Sequence, residues 1–220
     1  MISDLELCSI VAATYGIALP KGRPLPVWDH WIEDRETYGV AAGVIKVNGY
    51  NVIAFRGSVT LADWWHDAIS EIPIHVRGLG DVPIGFHAGV NDAYARLTKV
   101  LDGDPVIMVG HSLGCDHAAQ ICGLFVVNGG LVPERLVQFA PPRPGMMTLK
   151  YVLSIVPQAA YQEPLDIVPT VPTDPPYVHT CPITILPKRI VYTDNNPLFT
   201  PHHIQNIYAG LEAYTKRKVI

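Results

Sequence analysis

The sequence predicts an α/β fold with a mainly parallel central sheet flanked by helices. Stretches with the apolar pattern of strands alternate with stretches of helical spacing, and the clearest case is a buried strand that runs directly into a helix. Of the 220 residues, 49% are hydrophobic and only 16% are charged, which is typical of an ordered globule. A chain of this length suits one domain spanning residues 1–220.

Each predicted element depends on its apolar spacing and on the residues that bound it. Strands are predicted, in chain order, over 40–47, 50–55, 105–109, 136–139, 151–156, 161–163, 183–185 and 190–192. Helices are predicted over 4–15, 60–69, 89–101, 115–127 and from Thr200 onward. Asn48-Gly49 is typical of a tight hairpin, because both turn positions need a positive φ. Thr200-Pro201 provides an N-cap and a first-turn proline for the last helix, and 72–83 is expected to be irregular.

Charge and cysteine usage exclude several classes of protein. The net charge is −4 and the only basic run is Lys216-Arg217-Lys218 at the C-terminal end, so no nucleic-acid partner is expected. No stretch is long and apolar enough to span a membrane, and the acidic start lacks a signal-peptide pattern, so we expect a cytoplasmic protein. The cysteines lack the spacing of metal ligands and are expected to be free thiols, mostly buried: Cys8, Cys115, Cys122 and Cys181.

The pentapeptide Gly110-His111-Ser112-Leu113-Gly114 predicts a serine nucleophile. It has the pattern G-x-S-x-G and lies between the predicted strand 105–109 and the predicted helix 115–127, which is the context of a nucleophile elbow. Its glycines allow a tight turn that lifts the serine hydroxyl off the backbone. The helix that follows directs its positive end toward whatever the serine attacks.

A serine hydroxyl needs a histidine to take its proton and a carboxylate to orient that histidine. Asp166 is the best acid, because it follows a predicted strand and opens the loop Asp166-Ile167-Val168-Pro169. His202 and His203, at the start of the last helix, are the candidate bases. The remaining downstream candidates are given structural roles: Asp116 at the helix N-terminus, and His117 and His179 in packing.

Six blocks of this sequence, taken together, resemble the class 3 lipase family. They occur in register over residues 55–169: Phe55-Arg56-Gly57-Ser58, Asp63-Trp64, His87-Ala88-Gly89, Gly110 to Gly114, Ala140 to Gly145, and Asp166 to Pro169. The resemblance implies an α/β-hydrolase fold and a serine carboxylester hydrolase that works through an acyl-enzyme intermediate, with no cofactor and no metal. The pattern departs from the family at Cys115, Asp116 and His117, where small residues are usual, and no catalytic residue type is lost.

The resemblance also implies roles for single residues. Ser112 would be the nucleophile and Asp166 the triad acid, while Ser58 and the amide of Leu113 would form the oxyanion hole. The family's last motif has an apolar residue two places after the histidine and an aromatic or apolar one five places after it. His202 fits both places and His203 fits only the second, so His202 is favoured and His203 is kept as the alternative.

Residues 61–83 lie where members of that family carry a lid. Apolar residues recur there among polar ones: Leu61, Trp64, Trp65, Ile69, Ile72 and Ile74. This pattern fits an amphipathic lid that opens in transient contact with a lipid interface, and it fits equally a fixed surface helix whose tryptophans are buried. The first alternative favours a lipid ester as the substrate, and the second a small soluble ester.

Two further hypotheses compete with ester hydrolysis. The same site would support an acyltransferase that passes the acyl group to an acceptor other than water, or a phospholipase. The second alternative is a protein of this fold that binds acyl ligands without turning them over. Loss of ester turnover in Ser112→Ala would separate the enzyme from the binding protein.

Overall fold

The computed structural model describes residues 2–34, 39–58, 72–173 and 176–218, and a central sheet organises them. The strands, in chain order, are β1 (His30–Glu33), β2 (Ala41–Val47), β3 (Tyr50–Arg56), β4 (Pro73–Val76), β5 (Gly80–Pro83), β6 (Val106–His111), β7 (Arg135–Phe139), β8 (Gln158–Gln162) and β9 (Ile183–Ile185). The α-helices are α1 (Asp4–Ala13), α2 (Val90–Val100), α3 (Leu113–Val127), α4 (Met147–Val152) and α5 (Ile204–Lys218). Short 3₁₀ helices cover Gly85–His87, Leu153–Ile155, Val168–Thr170 and Pro197–His202.

Seven of these strands form one sheet in the order β1-β2-β3-β6-β7-β8-β9. The first three pair antiparallel, and every pairing from β3 onward is parallel. The prediction of a mainly parallel sheet flanked by helices is therefore confirmed. The carboxyl ends of β3, β6 and β8 consequently lie at one edge of the sheet, where open α/β sheets bind their ligands.

Both faces of the sheet are covered by helices. Ile53 and Phe55 of β3 belong to one core cluster, together with apolar residues of α2, α3 and α4. Val52 and Ala54, which alternate with them, belong to a second cluster that includes apolar residues of α1 and α5. All six residues of β6 are buried, as expected for a central strand covered on both sides.

The segment 151–156 is not a strand, contrary to the prediction. It contains the end of α4 and the 3₁₀ helix Leu153–Ile155. Leu149 and Leu153 are both fully buried, and their four-residue separation is that of one helix face. The apolar run suited a strand in composition, but only a helical backbone turns both leucines toward the core.

The segment 190–192 is also not a strand, because a side chain takes up its backbone groups. Asn206 Oδ1 accepts the N–H groups of Val191 (2.7 Å) and Tyr192 (2.8 Å), and Asn206 Nδ2 donates to the carbonyl of Tyr192 (2.8 Å). These are the groups that a neighbouring strand would otherwise pair. Strand β9 alone remains from the predicted C-terminal pair.

The other differences concern boundaries and loops. The segment 72–83, expected to be irregular, forms a two-stranded antiparallel hairpin of β4 and β5, with Gly78 and Gly80 at positive φ. Strand β8 covers 158–162 instead of 161–163, and Pro197–His202 is a 3₁₀ helix that precedes α5. The predicted helix 60–69 and the 61–71 part of the predicted lid lie outside the described residues.

Candidate active site

Ser112 forms a sharp turn between β6 and α3. Its backbone angles, φ 57° and ψ −135°, lie outside the regions that ordinary side chains prefer, so the surrounding contacts must hold them. Its N–H donates to the carbonyl of Phe139 at 3.0 Å, and its own carbonyl accepts from the N–H of Cys115 at 2.8 Å. Ser112 is fully buried in this structure. The predicted strand–turn–helix context of this serine is thus present.

The carboxyl end of β3 lies directly against this turn. A Cβ at Gly57 would come within 2.7 Å of the Ser112 Cβ, and a Cβ at Gly114 would collide with the backbone of Phe55. The absence of side chains at these two glycines lets the two backbones approach this closely. Ser58, the next residue, is therefore carried to the side of the elbow, where α3 begins at Leu113. The first amides of a helix lack acceptors within that helix and are free to bind an anion.

His202 and Asp166 form a buried pair at the same edge of the sheet. The His202 Nδ1 atom lies 3.1 Å from Asp166 Oδ1 and 3.0 Å from Oδ2, and both side chains are fully buried. Because a carboxylate only accepts hydrogen bonds, Nδ1 carries the proton and Nε2 is left as the basic nitrogen. Asp166 Oδ1 also accepts the N–H of Val168 at 3.0 Å, which fixes the carboxylate within its own turn.

Two atoms of the site are buried without a partner among the described residues. They are Ser112 Oγ and His202 Nε2, the atoms that a triad must join. The hydrogen bond between them is not formed in this structure. Such bonds are often long or poorly aligned in a free enzyme and tighten when the substrate is bound.

His203 has a different partner. Its Nε2 atom lies 2.6 Å from Asp194 Oδ2, and its ring packs against Tyr192 with the ring centres 4.5 Å apart. The backbone N–H of Asn196 and the hydrogen bond from His203 lower the pKa of Asp194. Of the two candidate histidines, the structure thus brings His202, and not His203, to Asp166.

A second buried network supports the first, and the sequence analysis did not identify it. The Gly57 N–H donates to Tyr15 Oη (2.7 Å), the Tyr15 hydroxyl donates to His111 Nδ1 (2.8 Å), and His111 Nε2–H donates to the carbonyl of His202 (2.9 Å). Burial, followed by the nearby His202, lowers the pKa of His111 well below its usual range, so this ring is neutral. The network ties β3, the elbow and His202 together through the last residue of β6.

The sequence held one signal for this network. Residues in a strand alternate between the faces of the sheet, and His111 therefore shares the α1 and α5 face with Ile107 and Val109. A histidine on an apolar face needs partners. No sequence pattern, however, indicates that Tyr15, placed 96 residues earlier, is one of them.

A further carboxyl group lies close to Asp166. Glu163 is fully buried, and its Oε1 accepts the N–H of Arg189 at 2.8 Å. Its Oε2 has no partner within the described chain. Burial raises the pKa of Glu163 to about 7, with Asp166 adding to the rise. Its carbonyl accepts the Asp166 N–H at 3.2 Å, so Glu163 also belongs to the turn that carries the acid.

The other flank of the elbow is apolar. Leu113 packs with residues from two 3₁₀ segments and the loop beyond them: Phe86, Val168 and Val171. His179 Nε2 donates to the carbonyl of Pro169 at 2.8 Å and so supports the loop after Asp166, in keeping with its structural role. Asp116 and His117 are buried in the first turns of α3, and burial lowers the pKa of His117 to about 4.

Neither a metal site nor a disulfide is found in the described part of the chain. No group of three or more His, Cys, Asp or Glu side chains there could hold a metal ion. All four cysteines are free; three are buried and Cys181 is partly buried. Among the described helices, none combines the length and the apolar character needed to cross a membrane.

Comparison with solved structures identifies the fold. The chain is 20% identical to a protein described as belonging to a family of fungal lipases with an unusual buried polar cluster; the match covers 93% of this chain and 94% of the other, with a TM-score of 0.71. It is 22% identical to the triacylglyceride lipase of Rhizomucor miehei, over 77% and 73% of the two chains, with a TM-score of 0.59. It is also 22% identical to a triacylglycerol lipase described as having a serine protease triad at its catalytic centre. That match covers 77% of this chain and 73% of the other, with a TM-score of 0.58. At these identities the likeness establishes the fold alone, which is the α/β-hydrolase fold.

The family follows from the sequence itself. No curated protein matches this sequence closely enough to be counted as a relative. The model of the family Lipase (class 3), however, matches residues 52–175, which is more than half of the chain and includes both Ser112 and Asp166. The chain therefore belongs to the class 3 lipase family and is a carboxylic ester hydrolase.

Proposed function

We propose that this hydrolase cleaves lipid esters with Ser112 as nucleophile, His202 as base and Asp166 as the acid that orients the base. The observation that carries the assignment is the buried His202–Asp166 pair, in which Nδ1 faces the carboxylate and Nε2 has no partner among the described residues, at the edge where the serine elbow lies. The solved triacylglycerol lipase described above has a serine protease triad, which supports the same division of roles here.

In this mechanism the Ser112 oxygen bonds to the ester carbonyl carbon while its proton passes to His202 Nε2. Asp166 stabilises the positive charge that forms on the ring. The carbonyl oxygen becomes an anion, and the Leu113 amide together with Ser58 would stabilise it. Donors of this kind typically contribute a few kcal/mol each. His202 then gives the proton to the departing alcohol, and water attacks the acyl-enzyme in the same way to release the acid.

Acyl transfer to another acceptor uses the same intermediate. An alcohol in place of water would bond to the acyl carbon, give its proton to His202 and release Ser112 as an ester forms. Hydrolysis remains the leading proposal, since the chain belongs to the class 3 lipase family.

We also propose a transient contact with a lipid surface. Three exposed aliphatic residues lie next to elements of the site in the chain: Ile84 before the segment of Phe86, Leu165 before Asp166, and Leu198 before His202. We call these three residues the apolar rim. Exposed aliphatic groups around a site for apolar substrates favour adsorption to a lipid phase.

The triad is tested with p-nitrophenyl butyrate and three alanine variants. We expect Ser112→Ala and His202→Ala each to lower kcat by at least about 10³-fold, as is typical when a triad member is lost. His203→Ala should lower it by less than tenfold, because its partner is Asp194. A loss in His203→Ala that equals the loss in Ser112→Ala, with His202→Ala remaining active, would reverse the assignment of the base.

A further inference from the structure

A run of five exposed side chains follows strand β9: Lys188, Arg189, Ile190, Val191 and Tyr192. We call these residues the 188–192 patch. Val191 is 66% exposed, and its neighbours Ile190 (40%) and Tyr192 (43%) are exposed as well. Apolar residues that are exposed singly are ordinary, whereas a run of three is unfavourable in water unless it serves a contact.

The backbone of this patch is held from inside the protein. The fully buried Asn206 accepts the N–H groups of Val191 and Tyr192 and donates to the Tyr192 carbonyl. Glu163, which is also fully buried, accepts the N–H of Arg189 at 2.8 Å. Because buried side chains take up these backbone groups, the segment is fixed while its own side chains stay in solvent. The patch is therefore presented in a defined conformation.

The two cations of the patch are not committed to carboxylates. Within the described part of the chain, neither Lys188 nor Arg189 takes part in a salt bridge. Asp194 is the only acidic residue between positions 186 and 203, and its carboxylate accepts from His203. Glu163 lies against the patch backbone, but burial raises its pKa to about 7. The patch thus joins two available positive charges to three apolar side chains.

The patch lies next to elements of the candidate active site. The Tyr192 ring packs against His203, the neighbour of the base, with the ring centres 4.5 Å apart. The hydrogen bond from Arg189 to Glu163 joins the patch to the turn that carries Leu165 of the apolar rim. A surface that contacts the patch would therefore lie close to the place where an ester must enter.

We propose that the 188–192 patch binds the surface of a lipid phase that carries anionic headgroups. Lys188 and Arg189 would lie at the headgroups, where each cation strengthens binding about fivefold, while Ile190 and Val191 enter the apolar boundary. Tyrosine is one of the residues enriched at that level of a membrane. The inference rests on the proposed function, because it names the kind of lipid surface at which that site works.

The charge of the whole chain makes this inference a specific one. The net charge is −4, so the chain as a whole is repelled by an anionic surface. A preference for anionic lipid must then come from a local group of cations. The 188–192 patch combines such a group with exposed apolar side chains.

Vesicles of two compositions test the proposal. Both consist of ether-linked lipids, which contain no ester to cleave: one has phosphatidylcholine headgroups alone, and the other has phosphatidylcholine and phosphatidylglycerol headgroups. We expect the wild-type partition coefficient, measured by co-sedimentation at low salt, to be about tenfold or more higher on the anionic vesicles. The preference should disappear in about 1 M NaCl, where salt screens the charges.

Variants with the same loss of charge at two places show whether the patch is responsible. The double variant Lys188→Gln and Arg189→Gln should bind the anionic vesicles at least about tenfold more weakly than wild type, with little change on the neutral ones. Lys188→Arg and Arg189→Lys together keep both charges and should bind as wild type does. Arg77→Gln and Lys99→Gln together are the matched control, since both residues are exposed and have no salt bridge among the described residues. This control should bind within about twofold of wild type.

A third variant tests the apolar part of the patch. Ile190→Ser and Val191→Ser together keep both cations and should lower binding to the anionic vesicles several-fold. Urea unfolding of each variant shows that it is folded. The proposal is overturned if wild type binds both kinds of vesicle equally, if the control loses as much binding as the Lys188 and Arg189 variant, or if the serine variant binds as tightly as wild type.

The two proposals fail in different ways, because adsorption to ether-linked lipid requires no turnover. If wild type shows no preference for the anionic vesicles and Ser112→Ala abolishes turnover of p-nitrophenyl butyrate, the role of the patch is wrong and the proposed function stands. If Ser112→Ala turns over that ester as fast as wild type, the proposed function itself is wrong, and vesicle binding alone then decides on the patch.

Discussion

Glu163 is the residue through which the structure predicts a clear pH dependence of stability. Its pKa is raised by burial to about 7, well above that of a glutamate in an unfolded chain. Between roughly pH 4.5 and 7 the folded protein therefore keeps a proton that the unfolded chain has lost. The free energy of unfolding must fall as the pH rises through that window.

Glu163→Gln removes this ionisation and keeps an oxygen that can accept the Arg189 N–H. We expect the difference in free energy of unfolding, variant minus wild type, to rise by roughly 2 to 3 kcal/mol from pH 4.5 to pH 8, because only wild type loses stability over that range. Urea unfolding at the two pH values measures the gain. Glu134→Gln replaces an exposed carboxylate in the same way. Its difference from wild type in free energy of unfolding should be the same at pH 4.5 and at pH 8. An offset for Glu163→Gln that does not change with pH would contradict the expectation.

The choice between His202 and His203 shows what single residues reveal in a sequence. The spacing of Ile204 and Ile207 after His202 favoured this histidine, and the structure places it on Asp166. The pairing of His203 with Asp194 had no signal in the sequence, because it depends on the 3₁₀ helix between them. Patterns of one or two residues indicate which groups take part, but not which groups they touch.

At the scale of elements, the fit of α3 against β3 is the feature on which the site depends most. Gly114→Ala would place a methyl group into the backbone of Phe55, where nothing flexible can yield. We expect a loss of about 3 kcal/mol or more in stability, together with loss of ester turnover, because the elbow must shift to relieve the collision. Urea unfolding and turnover of p-nitrophenyl butyrate measure the two effects.

Gly130→Ala, three residues after the end of α3, is the matched control substitution. An added Cβ at Gly130 meets no atom within 4 Å, and its backbone is not in the left-handed region. Its stability should stay within about 0.5 kcal/mol of wild type, with full activity. Equal effects of the two substitutions would show that the close approach of α3 to β3 is unimportant.

The central elements could be predicted from the sequence, whereas the peripheral ones were harder. The apolar spacing of the central elements indicated their type directly; these are β3, β6, α3 and β7. α4 and the segment 190–192 have apolar composition, but packing decides their backbone: the burial of Leu149 and Leu153 for α4, and the side chain of Asn206, 14 to 15 residues further along the chain, for 190–192. An apolar composition allows a strand, but the segment becomes one only where a neighbouring strand can pair with its backbone.

For the molecule as a whole, the arrangement of exposed apolar residues predicts its behaviour at a lipid surface. Leu165 is 74% exposed and Leu198 is 61% exposed, and both belong to the apolar rim. We expect the double variant Leu165→Ser and Leu198→Ser to lose several-fold in rate on an emulsified long-chain ester. Its rate on soluble p-nitrophenyl butyrate should fall much less, because the loss concerns adsorption.

Ile155→Ser controls for the loss of an exposed aliphatic side chain. Ile155 is 61% exposed and lies just before β8, at the edge of the sheet opposite the site. It should leave the rates on both substrates unchanged. If Ile155→Ser lowers the rate on the emulsion as much as the rim variant does, the rim has no special part in contact with lipid.

The hydrogen-bonded network of Tyr15, His111 and His202 also determines when activity can appear. Its two links join residues 96 and 91 positions apart, so they span most of the chain. Contacts so distant in sequence form late, since the entropy of closing long loops must be overcome first. A chain still leaving the ribosome has made its serine long before it has made the base. Under the proposed mechanism, the nascent protein therefore stays inactive until His202 has been made and has reached Asp166.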